Sequence, residues 1–191
     1  MRKTVLVIMA MALVPFYAFA VDGVVLINQS TVNATGGFPY IISVSGSYKL
    51  SGNLVVPVGL KGIDITASSV TLDLNGFNIT GNAFGTPGGA LVVATGNLKG
   101  VTIRNGTISV NGGGAMDTQN TSGTVIEDLR LDGGGVALFG KSVIIRRVSY
   151  PGAQIGVTCP ALVVDTLAAF FTRNQASSTA YTFGFVTGPV F

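Results

Sequence analysis

An aliphatic strand that returns at a near-constant step constrains this chain more than any other feature. Val70-Thr71-Leu72-Asp73-Leu74, Val101-Thr102-Ile103-Arg104-Asn105 and Val125-Ile126-Glu127-Asp128-Leu129 follow one pattern. Val143-Ile144-Ile145-Arg146-Arg147-Val148 and Leu162-Val163-Val164-Asp165-Thr166-Leu167 continue it. With Ile103, Ile126, Ile145 and Val164 taken as equivalent, the steps are 23, 19 and 19 residues. A second strand type precedes each, as in Gly62-Ile63-Asp64-Ile65, Ala90-Leu91-Val92-Val93, Ala115-Met116, Val136-Ala137-Leu138 and Ile155-Gly156-Val157. A short third type follows, as in Phe77-Asn78-Ile79, Thr107-Ile108-Ser109 and Arg130-Leu131. A strand–helix–strand crossover needs roughly 30 residues or more, and the intervening spans lack helical periodicity. Equivalent strands must therefore stack directly and in parallel, because no single coil can bury its apolar face alone. The fold predicted is all-β, a right-handed parallel β-helix of about five to six coils. A leucine-rich repeat has a similar period but requires a Leu-x-x-Leu-x-Leu pattern that this chain lacks. A β-sandwich would want longer alternating strands and hairpin turns.

Composition agrees with many short strands and tight corners. Charged residues make up 10% of the 191, against about 25% in a typical soluble domain. The 27 glycines, with many Asn, Ser and Thr, supply turn positions. Gly112-Gly113-Gly114 and Gly133-Gly134-Gly135 read as coil corners; a phosphate-binding loop would want a following Lys and helix. Asn75-Gly76 and Asn105-Gly106 suit corners where Asn tolerates left-handed geometry.

Residues 1–20 read as a secretory signal peptide. Arg2 and Lys3 form the positive end, Val5 to Phe16 the apolar stretch, and Ala18-Phe19-Ala20 the small-residue cleavage site. The expected location is outside the cell, in the periplasm or at the cell surface. No later stretch is apolar enough to span a membrane. Removal of the signal leaves nine basic and eight acidic side chains, a net charge of +1. That balance, and the lack of a basic stripe interleaved with aromatics, argue against nucleic acid as a partner. Cys159 has no internal disulfide partner and is expected to be buried and inert.

The run from Tyr48 through Leu50-Ser51-Gly52-Asn53-Leu54, Gly62-Ile63-Asp64-Ile65 and Val70 to Phe77 resembles the opening coils of bacterial right-handed parallel β-helix repeat proteins, in the pectin-lyase-like superfamily. Val101 to Ile108 and Val125 to Leu129 share the likeness, which covers roughly Ser47 to Asn174. It implies an opening and capping segment over 21–46, coils over 47–175 and a capping tail over 176–191. Phe170, Phe171, Tyr181, Phe183, Phe185 and Phe191 would fold over the C-terminal end; an uncovered end would instead drive self-association or mark a truncated chain. Members usually continue for further coils. Related lyases hold calcium with carboxylates and use Arg or Lys as base, so the resemblance makes calcium the one cofactor to consider and Asp128, Asp132, Arg146 and Arg147 a candidate surface site.

The residues themselves point away from most chemistry. The chain has no His, which removes Ser-His-Asp and Cys-His arrangements and the common zinc sites. Carboxylates offer the one route to an enzyme, a glycoside hydrolase or polysaccharide lyase, and Glu127, Asp128 and Asp132 form the densest acidic group. Glu127 and Asp128 are neighbours in a strand and point to different sides. The favoured reading is a non-catalytic exported module, structural or polysaccharide-binding along its side.

Period-two alternation assigns Ile63, Ile65, Leu72, Leu91, Val93, Ile103, Ile108, Ile126, Leu129, Leu131, Leu138, Ile145, Val148, Val157, Val164 and Leu167 to the core, and Met116 with them. Arg104, Glu127, Arg146 and Asp165 then form an outward column of alternating charge, with Asn105, Asp128, Arg147 and Thr166 beside it. N-terminal sequencing of the exported protein is expected to begin at Val21, whereas a mature pool retaining Met1 contradicts the signal peptide.

Overall fold

The structure, a computed structural model, describes residues 23–85, 89–133, 136–157, 161–173, 182–183 and 186–187. Residues 1–20, read above as a signal peptide, and Cys159, Gly134, Gly135, Tyr181, Phe185 and Phe191 lie outside them. So do the side chains of Leu138, Val157, Val164, Leu167, Phe170, Phe171 and Phe183, whose backbone positions are described.

In chain order the first elements are β1 (Val24–Ile27), α1 (Gln29–Ala34), β2 (Tyr40–Ile42), β3 (Gly46–Leu50), β4 (Leu54–Val55) and β5 (Ile63–Ile65). Then come β6 (Val70–Asp73), β7 (Asn78–Gly81), β8 (Ala90–Ala94), β9 (Leu98–Lys99), β10 (Thr102–Val110) and β11 (Gly114–Ser122). The last are β12 (Val125–Gly133), β13 (Val136–Lys141), β14 (Val143–Val157), β15 (Ala161–Val164), β16 (Thr166–Arg173), β17 (Thr182–Phe183) and β18 (Val186–Thr187). The described strands pair in parallel with equivalents one coil away, as in β3–β6, β6–β10, β10–β12 and β12–β14. The result is an all-β, right-handed parallel β-helix of about five turns.

Register turns the aliphatic pattern into stacked rows. Tyr48, Leu72, Ile103, Ile126 and Ile145 lie directly over one another, and all five are buried. Leu54, Ile79, Ile108 and Leu131 form a second row. Ile63, Val92 and Met116 form a third, and Ala137 and Ile155 pair on the same face of later coils. These rows merge into one hydrophobic cluster running through the coils. Each inward aliphatic contributes about 1.5–3 kcal/mol by burial.

Corners explain how the coils close without helices. Asn75, Asn105, Asp128, Arg147 and Asp165 all have positive φ, between 47° and 61°. Strand pairing on either side sets Asn105 over Asp128 and Asp128 over Arg147. The left-handed residue bends each chain while the backbone ladder resumes on both sides. Asn and Asp tolerate this geometry and Arg does so less readily. Asn75 Nδ2 donates to Leu50 O of the coil below at 3.1 Å. Gly106 follows Asn105 for a different reason: a Cβ there would sit 2.4 Å from Leu74 Cβ and 2.7 Å from Phe77 O. A second left-handed corner contains Ser69, Gly100, Gly123 and Ser142.

The first coil is covered by α1. Between Ile27 and Tyr40 the sequence reads as a polar Asn/Thr/Gly loop, yet Gln29–Ala34 form this short helix, capped by Asn28, whose Oδ1 accepts from Thr31 N at 2.9 Å. Val32 is buried with the core, and Gln29 Oε1 accepts from Val55 N at 2.9 Å. The helix thus places an apolar side chain on the open layer and satisfies an edge amide of β4, which suits the end of a stack.

Register also corrects the sequence reading in three places. Ile145 pairs with Val163, not Val164, and Arg146 with Val164, not Asp165. The last step is therefore 18 residues. The same slip moves Thr166 from the outward column to a buried position. Leu138 pairs with Asp117, one position off the inward Ala137 and Phe139. Val93 is buried as expected, but it pairs with Asp64 and Asp117 on the outer face, between inward Val92 and Ala94.

Tyr150 sits fully buried in the same interior, and among the described residues its hydroxyl has no hydrogen-bond partner. Burial pushes its pKa up to about 12. A buried, unsatisfied hydroxyl costs about 1–3 kcal/mol, so Tyr150→Phe is expected to hold or raise stability, whereas Ile126→Ala should cost about 2–5 kcal/mol. Because the folded pKa is raised, stability is intact below the ordinary tyrosine value near 10 and falls as pH rises towards about 12. Urea melts across that window should show a shallower alkaline loss in Tyr150→Phe; equal slopes would contradict the burial argument.

Candidate functional site

The strand bearing Ile103, Ile126 and Ile145 presents its alternate residues outward, one per coil. Lys49, Asp73, Arg104, Glu127 and Arg146 lie in one column. The charges alternate over five coils, starting two coils earlier than the sequence column and ending at Val164 instead of Asp165. Arg104 Nε lies 3.3 Å from Asp73 Oδ2. Arg146 Nε donates to Glu127 Oε2 at 2.5 Å, and its terminal NH2 nitrogen lies as close to the same oxygen. Glu127 is buried beneath these contacts.

At the adjoining corner Arg147 clasps Asp128 through two bonds, Nε to Oδ1 at 2.6 Å and the terminal NH2 group to Oδ2 at 2.8 Å. Its guanidinium also lies 3.6 Å from Glu127. The bond from Arg147 holds the Asp128 carboxyl below the usual carboxylate range, with the charges of Arg147, Arg146 and Arg104 acting the same way.

Asp128, Arg146 and Arg147, three of the four candidate residues, are therefore brought together, with Glu127 between them. Asp132 is not part of this group. It lies beyond the Asp128 corner, opposite Ser109, where Arg130 Nε donates to its Oδ2 at 2.8 Å. Each carboxylate of the candidate site is occupied by a guanidinium, and among the described residues no three His, Cys, Asp or Glu side chains converge. That donor set does not fit calcium. Arg146 and Arg147, tied to carboxylates, do not stand as free bases. The cluster can fix register; its charges are already balanced internally.

A different surface has the form of a binding site. Ser122 pairs with Lys99 on one side and Lys141 on the other, so the three make an outward column over three coils. Together with Asn97, Gln119 and Asn120 they line a groove of about 290 Å³. Its floor is rigid. Leu98 and Thr121 are buried, Thr121 Oγ1 donates to Thr118 O at 2.7 Å, and the Thr121 and Thr124 hydroxyls are 2.6 Å apart. Among the described residues neither lysine has an ion pair. The wall is thus built of amides, a hydroxyl and two uncompensated ammonium groups, spanning about 9.6 Å at two strand spacings. The sequence carried the signal: Lys99, Ser122 and Lys141 each stand four residues before Ile103, Ile126 and Ile145.

Compared with protein-family models, with curated proteins and with solved structures, the chain finds no match. Among the described residues no helix is long and apolar enough to cross a membrane.

The Asp128–Arg147 pair gives a direct test of the corner. Its lowered pKa makes it stabilising above the ordinary aspartate value, with that contribution lost as pH falls through the folded value. Carboxyl NMR titration should place Asp128 below the usual range, and Arg147→Asn, which suits the left-handed corner better, should return it towards normal. An unchanged titration in the variant would contradict the assignment to Arg147.

Proposed function

We propose that this protein is an exported, non-catalytic β-helix module that binds polysaccharide along its side, outside the cell or at its surface. The observation that carries the reading is the groove over Lys99, Ser122 and Lys141, flanked by Asn97, Gln119 and Asn120. Amides and a hydroxyl on the outer face of stacked strands suit sugar hydroxyls, which need many modest hydrogen bonds held in fixed positions. The groove follows coil stacking, so its donors and acceptors repeat along the axis as those of a glycan repeat along its chain.

Export after Ala20 and membership of the bacterial pectin-lyase-like superfamily belong to this proposal. They rest on the N-terminal pattern and on the strand motifs. Self-association through the helix end is also part of it, supported by exposed Val25, Leu26, Ile41 and Val44 in the opening segment. A lyase or hydrolase is disfavoured because the candidate carboxylates and guanidinia are paired with one another.

Mature protein beginning at Val21 is expected to bind members of a glycan array without cleaving them. A calcium-supplemented lyase assay on the bound glycans should show no new unsaturated or reducing ends. Turnover of a bound glycan would replace this reading with an enzymatic one, and an array with no binder would leave a purely structural role.

A further inference from the structure

The geometry points to a more specific ligand for this groove: a linear glycan carrying an acidic group on alternate sugars, lying along the helix axis. This rests on the polysaccharide-binding reading and adds the ligand's charge pattern.

Three features lead to it. Lys99 and Lys141 are exposed and have no ion pair among the described residues, while Lys61, Arg104, Arg130, Arg146 and Arg147 each face a carboxylate and Lys49, though not ion-paired, stands opposite Asp73 in the ladder. In a chain so poor in charge, the groove thus has an excess of positive potential that internal pairing does not cancel. The lysines are separated by one coil bearing Ser122, which gives the positive sites a period of two coils, about 9.6 Å. Asn97 and Asn120 precede Leu98 and Thr121, which pair between adjacent coils, and so offer amides at a one-coil period. A glycan extended along the axis matches both periods if every sugar presents hydroxyls and every second sugar presents a carboxylate or sulfate. A glycan charged on every sugar would set an acidic group against Ser122 and leave it without a cation. A neutral glycan would leave both ammonium groups uncompensated.

The test uses mature protein and four probes in titration calorimetry at low salt. They are hyaluronan and unsulfated chondroitin, which carry a carboxylate on alternate sugars only, polygalacturonate, acidic on every sugar, and neutral dextran. Hyaluronan or unsulfated chondroitin is expected to bind most tightly. Lys99→Gln with Lys141→Gln should weaken that binding roughly tenfold, consistent with the loss of two exposed charge contacts, with unchanged melting temperature. Ser122→Asp, which places an acid between the lysines, should block binding while the fold stays intact. Raising salt should weaken the wild-type complex more than the double variant. Polygalacturonate binding as tightly as the alternating polymers overturns the spacing, and dextran binding equally well, unaffected by the lysine variants, overturns the charge; either leaves polysaccharide binding standing. Failure of all four probes overturns this proposal, and a glycan array then decides whether the broader reading falls with it.

Discussion

Everything in this molecule depends on the parallel backbone ladder between successive coils. A single coil exposes its aliphatic side chains above and below and can bury them only against neighbours in register. The ladder supplies that register, setting Ile103 over Leu72 and under Ile126. Because side chains alternate in a strand, the same pairing that stacks isoleucines inside also stacks Arg104 over Asp73 and Glu127 under Arg146 outside. Core, charge column and groove are three consequences of one alignment. A slip by one residue would bury charges and expose isoleucines, so the fold and any site upon it stand or fall together.

The corners show what the alignment demands locally. One column of left-handed residues runs from Asn75 to Asp165, mostly Asn or Asp, which meet that geometry at low cost. Arg147 is the exception. Its two bonds to Asp128 in the coil below offer compensation at that position. The outward charge column works in a similar way. Each exposed pair is worth only about 0.2–1 kcal/mol, so the alternation helps specify register more than it adds stability. By contrast, Lys99 and Lys141 take no part in this internal pairing, which is why the groove and not the ion-paired cluster offers charge to a ligand.

Much of the fold was legible in the sequence, and particular residues show why the rest was not. Ile103, Ile126 and Ile145 are each followed by a charged residue, Arg104, Glu127 and Arg146, so alternation located them. Val163 and Val164 are adjacent and equally apolar, so alternation could not choose between them; keeping the step at 19 put the register one residue late. In Val136-Ala137-Leu138 all three residues are apolar, so alternation could not fix the phase; Ala137 and Phe139 occupy the buried positions. The helix over residues 29–34 was missed because it is too short to show a period, although Asn28 is a good cap. For the site, Asp128, Arg146 and Arg147 lie together but are mutually neutralised, and Asp132 stands apart with Arg130. Counting four residues back from each core isoleucine would have reached Lys99, Ser122 and Lys141.

The central claim is the register itself, and interstrand NMR contacts measure it most directly. Backbone amide and Hα contacts in isotope-labelled protein should link Asp73 to Arg104, Arg104 to Glu127, Glu127 to Arg146, and Arg146 to Val164, all in the parallel pattern. Contacts that set Arg104 against Asp128, Arg146 against Asp165, or any of these strands antiparallel would contradict the stacked-coil account and the groove built on it.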